Sequence, residues 1–224
     1  MIADYWPLMG LRLRTPRLEL RLPTDEELVG LAQVAVKGIH RSGERPFFSR
    51  WPERPAAEVA RTVIQGQWRK RGAWTADHWA LELAVFDQDG QPLGAQELRA
   101  EHFAGLREVA SSSWLGVGHQ GRGLGTEMRS AVLHLAFAGL GAEYALSASF
   151  VDSAASQSVS RKLGYRPDGI ERDERDGQVL VTQRFRMARE QWEQTERPEV
   201  TVTGLEPCLD LFGASPRPCP MRQL

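Results

Sequence analysis

The sequence lacks the features that mark several special classes of protein. Its two cysteines, Cys208 and Cys219, lie in the C-terminal tail with no metal-ligand or redox spacing, so we interpret them as incidental thiols. The longest apolar stretch, residues 131–140, is interrupted by His134 and is too short to span a bilayer. A formal net charge of −1 provides no basic excess for binding nucleic acid. These absences argue against a general nucleic-acid or membrane role.

Lysine is also scarce, and the first residues have no secretory signal. Only Lys37, Lys70 and Lys162 are lysines, so arginine supplies most of the 28 basic residues, which is typical of a GC-rich genome. No basic flank, apolar run or cleavage site occurs near the start, so a cytoplasmic location is expected. The five histidines are too scattered to suggest a metal site. With 42% hydrophobic residues, the chain can bury one large core or two small ones.

A glycine-rich segment at residues 114–126 is the most informative stretch in the sequence. A β-compatible stretch at 109–117 leads into it, and apolar residues at helical spacing follow from Leu124 to Ala138. The first N–H groups of a helix have no internal acceptor, and they carry the positive end of the helix dipole. A strand that enters a helix through such a turn therefore predicts a cradle for phosphate. Its glycines are Gly116, Gly118, Gly121, Gly123 and Gly125.

Three kinds of phosphate-binding loop, and a turn without a ligand, are compatible with these glycines. Residues 116–121 match the dinucleotide pattern G-x-G-x-x-G, but the preceding strand is serine-rich and Glu143 opens the next strand instead of ending it. A mononucleotide P-loop is not favoured, because no Gly-Lys-Ser/Thr follows. The third pattern fits better, because residues 120–125, Q-G-R-G-L-G, resemble the Q/R-x-x-G-x-G/A pyrophosphate loop of the GNAT acyl-coenzyme A transferases.

A second motif extends this resemblance. Residues 151–156, V-D-S-A-A-S, and 161–165, R-K-L-G-Y, resemble the family's V-D-N-x-A-S…R-K-x-G-F stretch, with Ser153 where the family usually has Asn. The residues that flank the loop resemble the RimJ/RimL-like branch, and within it actinobacterial members, some of which bind succinyl-coenzyme A. Two motifs in the family's order and spacing favour a ligand-binding loop over a turn without a ligand. The resemblance is close over residues 81–165, looser over 17–79 and faint after 187.

The resemblance implies a GNAT fold, and the local patterns agree with it. In chain order they predict a strand, two helices, three strands, a helix, a strand, a helix and two strands. The implied fold class is α/β (α+β): one GNAT-like domain over residues 1–194, with a mixed central sheet and helices on both faces, followed by a C-terminal extension at 195–224. In this fold the strands that contain Trp114 and Phe150 splay apart, and the pantetheine arm of the coenzyme lies between them.

Two further segments carry local predictions. Alternating leucines predict the first strand at 17–22, and the second helix, at 56–71, places Trp68 with its buried side. Residues 38–55 form a proline-rich loop that is too long for a simple connector. In the family this region covers the acceptor pocket, so its aromatic side chains either shape substrate choice or pack under the loop. These side chains are Phe47, Phe48 and Trp51.

The resemblance also implies how the coenzyme is held. Main-chain N–H groups across residues 121–126 would bind the pyrophosphate, with Arg122 as a charge partner. The main chain of Leu115 and Val117 would pair with pantetheine, and one of their N–H groups would donate to the developing oxyanion. The implied coenzyme-binding residues are Leu115, Val117, Gln120, Gly121, Arg122, Gly123, Leu124, Gly125, Thr126, Ser153 and Ser156.

The family's catalytic residues carry over only in part. Ser156 matches a serine near the coenzyme sulfur that would donate to the leaving thiolate, and its alternative role is to bond its own helix start. The tyrosine general acid of many members, four residues further on, is Ser160 here, so that role does not carry over. Glu97, Asp152 and Glu174 are the candidates for a general base. An α-amine, with a pKa of roughly 7.7–8.0, can also react without one.

Together these patterns predict a cytoplasmic bacterial N-acyltransferase. The resemblance implies acetyl-coenzyme A or succinyl-coenzyme A as the co-substrate, and an amine of a protein N-terminus or a small molecule as the acceptor. Related enzymes often dimerise, so a homodimer is the expected assembly, and no metal, nucleic acid or membrane is expected as a partner. The alternative is an acyl-coenzyme A-binding sensor or scaffold without turnover, which the missing tyrosine and the unassigned base leave open.

Overall fold

The strands and helices follow the predicted order, with short additions near both ends of the chain and one four-residue helix in its middle. The computed structural model describes residues 1–41, 43–44, 46–175 and 177–214; Cys219, and Asp176 in the predicted turn of the last hairpin, lie outside them. The described elements are β1 (Arg12–Arg14), β2 (Glu19–Arg21), α1 (Asp25–Val36), α2 (Ala56–Gly72), β3 (His78–Phe86), β4 (Pro92–Glu101), α3 (Phe103–Leu106), β5 (Glu108–Leu115), α4 (Leu124–His134), β6 (Tyr144–Phe150), α5 (Ala154–Lys162), β7 (Arg166–Arg175), β8 (Gln178–Ala188), α6 (Arg189–Glu193) and β9 (Thr201–Thr203).

The described strands form one mixed sheet in the order β7-β8-β6-β5-β4-β3-β2-β1-β9. The only parallel neighbours in it are β5 and β6, which pair from Glu108 and Tyr144 as far as Ala110 and Leu146. Beyond that point β5 and β6 each continue without pairing to the other. The two strands therefore separate and leave a wedge-shaped space, which we call the gap. This confirms the predicted mixed sheet with a splayed strand pair.

Different helices cover the two faces of the sheet, as predicted. On one face α1 and α2 share a hydrophobic cluster with β3, in which Leu28, Val59 and Phe86 are buried. On the other face α4 contributes to the main core. Because side chains alternate along a strand, neighbouring residues of β5 point to opposite faces: Leu115 joins the main core and Trp114 packs on the α1–α2 cluster. We call these the α4 face and the α2 face.

Two strand predictions differ from the structure. The strand predicted at 17–22 is only β2, and β1, which was not predicted, precedes it as its antiparallel partner. The β-compatible stretch at 109–117 ends as a strand at Leu115, because Gly116 leads the chain into a 3-10 turn at Val117–His119. The chain thus leaves the sheet two residues earlier than the pattern suggests, directly before the glycine-rich loop.

One side chain of α2 is also placed differently. Trp68, predicted on the buried side, is 51% exposed, and its indole N–H donates to Asp25 of α1 at 3.0 Å. Gln67 occupies the buried position instead. Its amide donates to the main-chain oxygen of Glu82 on β3 at 3.2 Å, so a polar residue is satisfied inside the α2 face.

The described part of the C-terminal extension, residues 195–214, packs on the same sheet. β9 pairs antiparallel with β1, and Cys208 and Phe212 are fully buried in the main core. The indole N–H of Trp79 donates to the Phe212 oxygen at 3.2 Å. Sheet and core therefore continue beyond residue 194. Among the described helices, none combines the length and the apolar character that a bilayer crossing requires.

Candidate active site

The glycine-rich loop lies between β5 and α4. Gly121 and Gly123 have φ angles of +76° and +78°, which glycine adopts at no steric penalty. The N–H groups of Thr126 and Glu127 both donate to the Gly123 oxygen at 3.1 Å. In the described part of the chain, the N–H groups of residues 121–125 have no main-chain acceptor. Free donors at a helix start have the geometry that binds phosphate, and we call this group the cradle.

Two side chains of the loop have different roles. The Gln120 amide donates to the main-chain oxygens of Leu115 and Ile39, at 3.0 and 2.9 Å, so it fastens the loop to the end of β5 and to the segment after α1. Arg122 is exposed, and its main-chain oxygen accepts from the Arg17 guanidinium at 3.0 Å. Gln120 thus supports the loop from within, while the Arg122 side chain projects from it.

Arg17 is a neighbour of the cradle that the sequence patterns did not indicate. Its Nε donates to a carboxylate oxygen of Glu127 at 2.6 Å, and its main-chain N–H and the Thr15 hydroxyl donate to the other oxygen, at 3.1 and 2.6 Å. Glu127 lies in the first turn of α4 and is 7% exposed. The one available signal was this carboxylate, because an acid buried beside an anion cradle needs a cation of its own.

The main chain of β5 presents polar groups to the gap. The Gly116 N–H donates to the Leu93 oxygen on the β4 side at 2.9 Å. Main-chain groups of successive residues in a strand point to opposite sides, so the Leu115 N–H is directed toward the gap. The Val117 N–H donates to the Gly38 oxygen at 2.9 Å. Of the two predicted main-chain donors, Leu115 therefore faces the gap and Val117 is bonded to the loop after α1.

The loop at 38–55 connects the two sides of the gap on the α2 face. The rings of Phe48 and Phe150 lie 4.9 Å apart, on the β6 side. Those of Trp51 and Trp114 lie 6.3 Å apart, on the β5 side. The Arg175 guanidinium donates to the Phe47 oxygen at 2.6 Å, which ties the loop to the end of β7. These ring contacts span the wide end of the gap, although Phe48 remains 54% exposed.

The second motif lies at the end of β6, across the gap from the cradle. Asp152 is exposed, and Ser153 is the N-cap of α5 without a side-chain capping bond. Ser156, in the first turn of α5, has a hydroxyl with no hydrogen-bond partner among the described residues. Its predicted alternative role as a helix cap is therefore not observed here. Glu174, the third candidate for the general base, lies near the end of β7, and its carboxylate accepts a hydrogen bond from the Gly177 N–H.

Glu97 lies on the α2 face of β4 within a network of charges. Lys70 of α2 lies 2.7 Å from its carboxylate and 2.9 Å from that of Glu82. The other oxygen of Glu97 accepts from Arg99 at 2.8 Å and from the Ser112 hydroxyl at 3.1 Å. Burial favours a raised pKa for Glu97, but Lys70 and Arg99 outweigh it and hold the pKa below its ordinary value. Burial raises the pKa of Glu82 despite the nearby lysine.

On the α4 face, Arg129 lies between the two splayed strands. Its guanidinium donates to the hydroxyls of Ser147 on β6 and Ser160 on α5, at 3.2 and 3.1 Å, and to Ser113 on β5 at 3.4 Å. Ser160, which takes the position of the family's tyrosine, is thus bonded to a buried arginine. Burial lowers the pKa of Arg129. No helical or motif pattern distinguished this residue, because its importance depends on strands far away in sequence.

Within the described residues, no group of three or more His, Cys, Asp or Glu side chains is placed to hold a metal ion. A sequence model described as an acetyltransferase (GNAT) domain matches residues 17–166, more than half of the chain. The chain belongs to the GNAT acetyltransferase family. Members of this family use acetyl-coenzyme A as their co-substrate, and the matched region of this GNAT protein includes the cradle, the gap and the second motif.

Solved structures share the fold of this GNAT protein. RimJ from Mycobacterium smegmatis, in complex with a coenzyme A disulfide, is 16% identical with a TM-score of 0.64, covering 84% of this chain and 92% of its own. A GCN5-related N-acetyltransferase from Brucella melitensis is 19% identical with a TM-score of 0.65, covering 81% and 80%. RimL, a ribosomal L7/L12 alpha-N-protein acetyltransferase in complex with coenzyme A, is 17% identical with a TM-score of 0.62, covering 78% and 95%. At these identities, the likeness is one of fold.

Proposed function

We propose that this GNAT protein is a cytoplasmic N-acyltransferase that moves an acetyl group from acetyl-coenzyme A to the amine of a protein N-terminus. The observation that carries the proposal is the continuity of the cradle with the gap. The free N–H groups of residues 121–125 lie directly beyond the strand edge that Leu115 presents to the gap. A coenzyme held by its diphosphate would lay an extended arm along that edge. The RimL neighbour, described as a ribosomal L7/L12 alpha-N-protein acetyltransferase, supports a protein N-terminus as the acceptor.

In this proposal the coenzyme is bound from both sides of the gap. The N–H groups of the cradle and the Arg122 side chain bind the diphosphate, while Gln120 keeps the loop in place. The Leu115 N–H pairs with the arm or donates to the thioester oxygen as negative charge develops there. From the β6 side, Ser153 contacts the arm at the start of α5.

The chemistry is a direct attack within a ternary complex. The neutral amine nitrogen attacks the thioester carbon, the C–N bond forms, and the C–S bond breaks with its electron pair on sulfur. The Ser156 hydroxyl, without another partner among the described residues, donates to the leaving thiolate. The amine proton passes through water to Glu97, or to Asp152 at the end of β6. The neighbours of Glu97 lower its pKa, so this carboxylate is a weak base. Most of the amine that reacts is therefore already neutral, because an α-amine has a pKa of roughly 7.7–8.0.

Succinyl-coenzyme A is the second donor that the proposal includes. A succinyl group carries a carboxylate, and the hydroxyls of Ser113 and Ser147 near the narrow end of the gap are donors of the kind that it needs. Acetyl is the primary choice because members of the GNAT acetyltransferase family use acetyl-coenzyme A.

The test is thiol release from acetyl- and succinyl-coenzyme A in the presence of amines. The panel contains a peptide with a free α-amine, the same peptide blocked at its N-terminus but carrying a lysine, and a small polyamine. We expect release with acetyl-coenzyme A and the free α-amine. Tight coenzyme binding by calorimetry, with no release above background for any amine, would instead establish the sensor or scaffold. The mass of the coenzyme that copurifies with the protein identifies the acyl group independently.

Gly123→Glu tests the cradle itself. The substitution places a negative charge among the diphosphate donors, and we expect coenzyme affinity to fall by about 100-fold or more, equivalent to about 2.7 kcal/mol. Gly90→Glu is the matched control, because Gly90 also has a positive φ (+74°) and open space around it but lies in the β3–β4 turn. Calorimetry with coenzyme A gives both values. Equal affinities for the two variants would place the coenzyme elsewhere and remove the basis of the proposal.

A further inference from the structure

The narrow end of the gap contains a buried charge to which the proposed reaction assigns no role. Arg129 is 5% exposed and has three serine hydroxyls as its hydrogen-bond partners. Among the described residues, no carboxylate forms an ion pair with it. An arginine remains protonated even when burial lowers its pKa, because its reference value is so high. Within the described part of the chain, a positive charge is therefore held between β5 and β6 by neutral groups.

The position of this charge relative to the gap is set by the sheet register. The last paired residues of β5 and β6 are Ala110 and Leu146, so the gap is closed there and widens toward Leu115 and the cradle. Ser147 is the next residue of β6, and Ser113 lies on β5 before its wide end. A coenzyme whose diphosphate lies in the cradle enters at the wide end, so its sulfur lies toward the narrow end. Arg129 and its serines line that end.

The direction of the Ser113 hydroxyl follows from its bond to Arg129. The guanidinium has only donors, so the Ser113 oxygen must accept in that contact. A serine has one O–H bond, which then points away from the arginine toward another acceptor. Ser147 and Ser160 are 5% and 0% exposed and lie 3.5 Å from each other, so one of these two hydroxyls donates to the other. Ser113 is the partly exposed member of the cluster, so its proton is the one that can be donated into the gap.

We propose that Ser113 is a further catalytic residue, which donates a hydrogen bond to the leaving thiolate, and that Arg129 is the positioning residue that orients and polarises it. The inference rests on the proposed function. When the C–S bond breaks, its electron pair stays on sulfur and the negative charge develops opposite the Ser113 O–H. Ser113 and Arg129 both keep their protons throughout, so the step needs no further reactant. Ser156 donates to the same sulfur from the β6 side.

The experiment measures the pKa of the coenzyme A thiol when it is bound to the protein. The ultraviolet absorbance of the thiolate is followed through a pH titration, and a parallel titration with desulfo-coenzyme A subtracts the tyrosines of the protein. In the native protein we expect a bound thiol pKa below that of free coenzyme A. Ser113→Ala and Arg129→Met should each raise it by about one unit, a tenfold loss of thiolate stabilisation. The kcat for acetyl transfer should fall about tenfold in parallel, with the KM for acetyl-coenzyme A unchanged.

Two further variants separate this role from a structural one. Ser112→Ala removes the neighbouring hydroxyl, which faces the α2 face and contacts Glu97, and should leave the bound thiol pKa unchanged. Arg129→Lys keeps the charge and should restore part of the shift. If Arg129→Met does not fold, Ser113→Ala decides alone, because it leaves the buried arginine in place. If coenzyme A bound to the Ser113→Ala variant has the same thiol pKa as coenzyme A bound to the native protein, the inference is wrong. If the native protein does not bind coenzyme A, the proposed function itself is wrong.

Discussion

Lys70 and Arg129 reach the sheet from opposite faces, and their surroundings differ in one respect. On the α2 face, Lys70 lies within 2.9 Å of two carboxylates, those of Glu82 and Glu97. On the α4 face, Arg129 has hydroxyls as its partners in the described part of the chain. Carboxylates that neutralise a cation also weaken its electrostatic attraction for a substrate. A cation that is held by neutral groups can instead stabilise a new negative charge. The presence of a counter-charge, more than burial, therefore distinguishes a cation with a structural role from one that can assist the reaction.

The largest expected effect is on stability and concerns Lys70. Lys70→Met leaves Glu82 and the buried Glu97 without their shared cation, and we expect a loss of about 2–3 kcal/mol, below the range for fully buried pairs because Arg99 still contacts Glu97. Arg129→Met removes a cation whose described partners are neutral hydroxyls, so no carboxylate loses its counter-charge. We therefore expect the free energy of unfolding to change by at most about 1 kcal/mol. Urea unfolding at neutral pH measures both. Lys37→Met, at an exposed lysine, is the control with an expected change within about 0.5 kcal/mol. A greater loss for Arg129→Met than for Lys70→Met would reverse the comparison.

Arg17 extends the comparison to a cation that contacts both a carboxylate and the cradle. Arg17→Ala leaves the Glu127 carboxylate without a counter-charge beside the diphosphate donors, and we expect coenzyme A affinity to fall about tenfold. Acetyl-pantetheine lacks the diphosphate, so the Arg17→Ala variant should use it as an acetyl donor as well as the native protein does. Arg14→Ala is the matched control, since Arg14 is exposed and contacts Glu19 instead. An equal loss for acetyl-coenzyme A and acetyl-pantetheine would show that Arg17 acts on the whole fold.

The smallest expected effect is the pH dependence of the two carboxylates beside Lys70. The folded-state pKa of Glu97 is lowered from 4.5, so its contribution to stability is present above that pH and is lost as the pH falls through the lowered value. The pKa of Glu82 is raised from 4.5, so its contribution is present below that pH and is lost as the pH rises. The stability deficit of Glu97→Gln should therefore shrink below pH 4.5, and that of Glu82→Gln should shrink above it. Urea unfolding across this range checks both signs, and parallel profiles would contradict them.

Local patterns in the sequence were sufficient for most of the fold. The glycine spacing predicted the turn before α4, and alternation predicted β2 and β3, because those signals depend on neighbouring residues. β1 was missed because one of its edges pairs with β9, which is far away in the sequence. Trp68 was misplaced because Gln67 finds a main-chain acceptor on β3, which no helical period reveals.

The candidate site was predictable only where its residues are contiguous. The cradle and the second motif are short segments with characteristic residue types. Arg17 and Glu127 meet across 110 positions of sequence, and Arg129 finds its serines on three different elements. Whether a charge is balanced depends on such distant contacts, so neither Arg17 nor Arg129 could be distinguished from an ordinary surface arginine.

The pairing of β1 with β9 has a consequence for the order of events during protein synthesis. β1 leaves the ribosome long before β9 and the segment that accepts hydrogen bonds from Trp74 and Trp79. Contacts this remote in the chain form late. The nascent polypeptide therefore carries an uncovered strand edge, and two indoles without their acceptors, until that later segment has been made.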